Sequence, residues 1–368
     1  MTTSTPRTTT FSTSHRPTVS PSGLRCCGRF GSKLAGRGLA ASLPVFVFVF
    51  IFFVFGAALP GLAQTTWTVS DTSDNASDPG SLRYAVNSAQ NGDTIVFNLP
   101  NPSTITLVNG GLYINTSVTI NGPGPSALFI SGVGMNGPPQ SQDNVLYLNN
   151  ANVTVSISGV TIENGFEFAG GIVNVGTLTL TNSAVSGNSG INQSGGILNF
   201  GTLVVDNSTV SGNTVYSLGA FETFSGGISN SGTAIVINSN VSGNTINTDN
   251  VKEEPQGGGI FNSGTMTVIN STVSANSGLI GGVVQGCGAI YNAATMTIIG
   301  STVSNNNTGG AICNAQYYGN SPVLTVINTT MFGNAYGAIF PLAGKVTVSN
   351  STIFGNQGPG IFFPNGTL

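Results

Sequence analysis

Carboxylates are the main reactive groups left to most of this chain. Its only histidine, His15, and six of its nine basic residues precede residue 44, whereas all twelve acidic residues follow residue 64. Without histidine downstream, Ser/His/Asp and Cys/His nucleophilic schemes are excluded, and His-based metal centres with them. Acid–base work on a glycosidic bond and oxygen ligation of Ca²⁺ remain open. Two long insertions, 216–225 and 245–256, gather the densest set of candidates. They bring Glu222, Asp249, Glu253 and Glu254 near Tyr216, Phe221 and Phe224. Carboxylates beside aromatic rings suit a sugar or Ca²⁺; two solvated loops, partly balanced by Lys252, are the plainer alternative. Glu163 and Glu167 flank Gly165 and read as two separate solvated charges rather than an acid/base pair. No regular strand carries carboxylates at i, i+2.

The repeat that must position these groups is legible. An aliphatic–small–small–Asn phrase ends at Asn164, Asn188, Asn213, Asn244, Asn276, Asn306, Asn334 and Asn356. A Gly-Gly-Ile-x-Asn phrase interleaves with it, ending at Asn174, Asn199, Asn230, Asn262, Asn292 and Asn314. Periods of 22 to 32 residues mean stacked coils, each burying its apolar face against its neighbours. Within a coil, Leu178 and Leu180 alternate with Thr177, Thr179 and Thr181, a strand with one buried face. The expectation is an all-β fold: a right-handed, single-stranded parallel β-helix with three short strands per coil and about nine or ten coils over 103–368. In a stacked-coil fold, insertions at equivalent positions emerge on one face.

Two Asn positions read differently. The corner series Asn182, Asn207, Asn238, Asn270, Gly300, Asn328 and Asn350 admits Gly, so it needs a left-handed backbone. The terminal Asn of the eight-fold phrase never becomes Gly, so its amide is wanted for a ladder of bonds from coil to coil. Cys287 and Cys313 fall four residues out of register, roughly 13 Å along a straight strand. They therefore read as two buried thiols rather than a disulfide.

Ahead of the coils, 64–102 reads as a cap. Leu82, Ala85, Val86 and Ala89 make an amphipathic helix with Ser81 as its N-cap. Arg83 is expected to hold a salt bridge or backbone carbonyls. Residues 1–63 read as a secretory signal, with a long basic Thr/Ser-rich n-region, an apolar run at 45–55 and cleavage after Ala63. The remaining chain has three basic residues (Arg83, Lys252, Lys345) against twelve acidic ones, a net of −9. That balance excludes nucleic acid and acidic lipid as partners. It also leaves little with which to grip an acidic polysaccharide, and membrane insertion of the mature chain is not expected.

The run Gly80-Ser81-Leu82-Arg83-Tyr84-Ala85 resembles the cap of secreted bacterial right-handed β-helix repeat proteins of the pectate-lyase-like class, which often read Cys-Ser-Leu-Arg-Glu-Ala there. Ala289-Ile290, Ala311-Ile312 and Ala338-Ile339 are similar to the Gly-Gly-Ala-Ile units of chlamydial polymorphic outer-membrane proteins. Val, Ile or Met replaces the Phe of their Phe-x-x-Asn unit. The resemblance implies a scaffold used by adhesins, structural surface proteins and polysaccharide lyases and hydrolases. Its polysaccharide-cleaving members use clustered Asp, or Ca²⁺-binding Asp with an Arg base. With no such cluster in the strands, the expectation is a secreted or cell-surface protein without catalytic residues, acting in adhesion to glycans or a neighbouring or host cell, or in extracellular structure. A polysaccharide lyase, glycoside hydrolase or glycan-binding module using the acidic insertions is the alternative.

Overall fold

The chain winds as a parallel β-helix with a core of stacked aliphatic side chains. The computed structural model describes residues 64–138, 142–217, 224–248, 257–280, 283–284 and 287–362. The proposed signal segment lies outside these residues. One coil shows the plan: Thr177–Thr181 in sheet I, Ala184–Ser186 in sheet II, Ser189–Ile191 in sheet III and Ile197–Asn199 in sheet IV. Across the described residues the four sheets hold eleven, ten, six and nine strands, so sheet III is confined to part of the solenoid.

Sheets I, II and IV run nearly the full length, as the three-strand repeat predicts. Sheet III is the addition. It consists of short strands directly after the ladder position, from Phe166–Glu167 to Ser277–Ile280, closed by an antiparallel partner at Val283–Val284. Its strands are two to four residues long and lie outside the three repeated aliphatic slots, so the apolar alternation of the other three sheets contains no trace of it.

The inward slots are aliphatic throughout. Ile172, Ile197, Ile228, Ile260, Ile290, Ile312 and Ile339 pair in register down sheet IV, and all are fully buried. Leu178, Leu180 and Val185 complete one such layer with Ile172. At about 2 kcal/mol per buried aliphatic side chain, each layer opposes the ordering entropy of its coil.

The corners behave as their sequence requires. Asn182, Asn207, Asn238, Asn270, Asn328 and Asn350 all have φ between 46° and 51°, and Gly300 has φ 59°. Asn188, Asn213, Asn244, Asn276, Asn306, Asn334 and Asn356 form the amide ladder. Each Nδ2 donates to the Oδ1 of the next coil at 2.8–3.2 Å, and Oδ1 also accepts the backbone N–H of the preceding Asn. Asn164 is not a member. Sheet II pairs Ser186 with Glu163, which sets Asn164 level with Gly187 and gives it a left-handed φ of 55°. Gly165 takes the ladder position, its N–H donating to Asn188 Oδ1 at 2.9 Å. A Cβ there would run into the carbonyl oxygen of Gly170, so no side chain fits.

The Gly-Gly-Ile-x-Asn phrase builds a second buried ladder. Asn174, Asn199, Asn230, Asn262, Asn292 and Asn314 are bonded Nδ2 to Oδ1 at 2.7–2.8 Å. Between these ladders a column of hydroxyls (Ser183, Ser208, Ser239, Ser271, Ser301) accepts successive backbone N–H groups.

Cys287 and Cys313 are disulfide-bonded with their Cα atoms 5.9 Å apart, which overturns the two-thiol reading. That reading assumed a straight strand from Cys287 to Tyr291. The register slips between Cys287 and Ile290, and Cys287 lies against Gly309 and Gly310 instead.

The N-terminal cap is the helix Leu82–Ser88, with Ser81 accepting the N–H of Tyr84 at 3.1 Å. Its apolar face, Leu82, Ala85 and Val86, closes one end of the core. Among the described residues no helix is long and apolar enough to cross a membrane.

Candidate functional site

The outward face of sheet IV carries one column of side chains in exact register only because each coil repeats the same strand. In order it reads Tyr113, Tyr147, Val173, Leu198, Ser229, Phe261, Tyr291, Cys313 and Phe340. At its N-terminal end the column floors an open cleft of about 710 Å³. Tyr113 and Tyr147 meet edge to face with centroids 5.4 Å apart, and Tyr113 is 48% exposed. Phe168 and Phe200 stand at the margin, both about half exposed.

Two carboxylates line the same cleft, Asp143 and Glu167. Asp143 is held firmly. Its Oδ2 accepts from the Gly111 N–H and the Tyr113 hydroxyl, both at 3.1 Å, and its Oδ1 accepts from the Asn144 N–H at 2.7 Å. Glu167 Oε2 accepts from the Phe168 N–H at 3.2 Å. Burial and the negative charge of Asp143 push the Tyr113 phenol above its ordinary range. Tyr113 is therefore a neutral hydroxyl that donates to a carboxylate, and is poorly suited to act as a base.

The cap reaches into this arrangement. Arg83 Nε bonds Asp74 at 2.6 Å, Nη1 donates to the Gly111 carbonyl at 3.0 Å, and Nη2 donates to the Gly110 carbonyl. Arg83 thus has the structural role expected of it. By fixing the Gly110–Gly111 turn it also aims the Gly111 N–H at Asp143.

The residues singled out in the sequence fare differently. Phe221, Glu222, Asp249, Glu253 and Glu254 lie outside the described residues. Tyr216 sits on the sheet III strand Thr214–Ser217, level with Ile191 and Asn247. Phe224 turns away from any open site and stacks on Phe261 with centroids 4.8 Å apart. Ser194, Ser225 and Gly257 pair side by side in successive coils. Glu163 and Glu167 belong to different sheets, II and III. Burial raises the Glu163 carboxyl above its ordinary range. Among the described residues no three His, Cys, Asp or Glu side chains converge as metal ligands.

Tyr113, Tyr147 and Asp143 were missed by the sequence reading, though a signal existed. Leu112-Tyr113-Ile114 and Leu146-Tyr147-Leu148 each place a tyrosine outward between two inward aliphatics, at the same slot of successive coils.

No family model and no curated protein matches the chain. Two crystal structures are similar to it. An alginate lyase from Paenibacillus sp. str. FPU-7 aligns with 79% of this chain and 97% of its own, at TM-score 0.52 and 16% identity. The pectate lyase Pel9A aligns with 80% of each chain, at TM-score 0.48 and 18% identity. What is shared is the fold. The chain is a parallel β-helix of the architecture on which the alginate lyase is built, and the identity is too low to carry that enzyme's chemistry across.

Proposed function

We propose that this protein engages a polysaccharide in the cleft on the outer face of sheet IV. One observation carries the reading: a tyrosine pair, Tyr113 exposed and Tyr147 half-buried, shares one outward-facing cleft with a pinned carboxylate, Asp143. Aromatic faces offer sugars an apolar platform, and carboxylates accept their hydroxyl hydrogens. The fold held in common with an alginate lyase supports the same class of ligand. β-Elimination needs a base and a group that neutralises the uronate carboxylate. The described lining residues include no Lys or Arg for that task, and Tyr113 already donates to Asp143. Glycan binding is therefore the function favoured here, with hydrolysis through Asp143 and Glu167 as its catalytic form. Adhesion or extracellular structure alone leaves the cleft without a purpose.

Export belongs to the same proposal, since polysaccharides of this kind lie outside the cell. Mass spectrometry of secreted protein should find Gln64 or a near neighbour at the N-terminus. Affinity electrophoresis through gels containing soluble glycans tests the cleft. The wild-type protein should be retarded by at least one glycan, and Tyr147→Ala should migrate freely. Both cleavages create a new reducing end and elimination alone adds an unsaturated one, so scoring products for unsaturated ends would separate hydrolysis from elimination. Equal retardation of both proteins, or none on any glycan, would sink the reading.

A further inference from the structure

We infer that the cleft selects uncharged polysaccharides and rejects uronate polymers, with Asp143 and Glu167 as the specificity-determining residues. The inference rests on reading the cleft as a glycan site. Its direction is opposite to what the alginate and pectate in the names of the similar structures would suggest.

The argument is one of charge. Asp143 and Glu167 put two carboxylates in the cleft lining, and among the described lining residues no Lys or Arg joins them. Two cations of the mature chain lie among the described residues. The Arg83 guanidinium is taken up by Asp74 and the carbonyls of Gly110 and Gly111. Lys345 opens the strand Lys345–Ser349, the last of sheet I, many coils away. A uronate entering the cleft would meet two negative charges at short range with no counter-charge, and would bring an acceptor where a donor is required. A neutral sugar brings hydroxyl hydrogens to the same oxygens. Asp143 cannot swing aside to admit an anion, because three donors hold it: the N–H groups of Gly111 and Asn144 and the hydroxyl of Tyr113.

The test is binding of the full chain to a soluble neutral β-glucan, a neutral mannan, polygalacturonate and alginate, at low and at moderate salt. A neutral polymer should bind at least about tenfold more tightly than either uronate at low salt, and added salt should narrow the gap by screening. Glu167→Gln should narrow it at constant salt, and Glu167→Lys, whose side chain faces the same cleft, should narrow it further. A uronate that binds as tightly as the best neutral polymer would overturn the inference while leaving the glycan site standing. Uronate binding that appears only with added Ca²⁺ would overturn it too, since the carboxylates would then be cation ligands. Binding of neither class would overturn the reading of the cleft itself, and this inference with it.

Discussion

The column of side chains on the outer face of sheet IV meets two different environments. Around Tyr113 and Tyr147 it is open, and Tyr113 is 48% exposed. Around Phe261, Tyr291 and Cys313 it is covered, and Phe261 is 1% exposed. Phe224 stacks on Phe261, Tyr317 meets it edge to face at 5.4 Å, and the Cys287–Cys313 bridge closes the far side. The strands beneath both stretches belong to one parallel sheet, although the buried Asn ladder begins only at Asn174 and Leu148 holds its slot beside Tyr147. What separates an open cleft from a second small core is above all the chain that passes over the strand. Coils supply a repeated platform, and the connections between sheets decide whether it stays accessible.

The largest expected effect separates the two stretches directly. Phe261→Ala should lower stability by about 3–5 kcal/mol, whereas Tyr147→Ala should cost about 1 kcal/mol or less. Denaturant midpoints measure both, and comparable losses would show that the open stretch is also a packed core. The disulfide comes next. Its partners are separated by 26 residues, about one coil. Cys287→Ser should cost about 3 kcal/mol by releasing that closed loop, while leaving glycan binding at the Tyr113 end intact.

A third experiment asks whether the frame is as uniform as it looks. Asn199→Gly alters the ladder next to Leu198 of the cleft lining, and Asn262→Gly alters it next to Phe261 of the covered stretch. Each should cost on the order of 1–3 kcal/mol by stranding its ladder neighbours, and the two should agree within about 0.5 kcal/mol. The corner at Asn238 is the control: Asn238→Gly should be nearly neutral, and Asn238→Val should cost about 1–2 kcal/mol. The smallest effect concerns Tyr113. Burial and then Asp143 raise its phenol pKa. Any stability this contributes is present below the unfolded value of about 10 and lost as pH climbs through the folded value. Ultraviolet difference titration should place Tyr113 above free tyrosine, and Asp143→Asn should bring it down.

Much of the scaffold is legible in the sequence because each coil restates it. A Gly at 300 among corner asparagines announces a left-handed backbone, and alternating Leu and Thr announce a strand with one buried face. Asn164 shows the limit of that logic. It ends a similar phrase, yet pairing with the next coil shifts it by one residue, and only the register reveals Gly165 in its place. The disulfide escaped for a related reason, since sequence offset measures distance only where the strand is straight. The cleft was the hardest part to find. Tyr113 and Tyr147 share only a short Leu-Tyr-aliphatic run in the irregular early coils, and Asp143 lies outside it, joining them through the sheet IV register and the Tyr113 hydroxyl. The conspicuous acids of the insertions drew attention away from two scattered ones.

The Asn ladders have a direction. In both, each bond between asparagine side chains runs from Nδ2 to the Oδ1 of the next coil toward the C-terminus, so the amide dipoles point the same way and polarise one another. Each ladder is a hydrogen-bonded wire with a negative and a positive pole, a side-chain counterpart of the helix macrodipole laid along the solenoid axis. The negative pole of the sheet IV wire is Asn174 Oδ1, which is buried and has no hydrogen-bond partner because Leu148 occupies its slot in the preceding coil. Asn174 follows Val173, a residue of the cleft lining. The scaffold thus ends one of its electrical poles inside the strand whose next-door residue, Val173, lines the cleft.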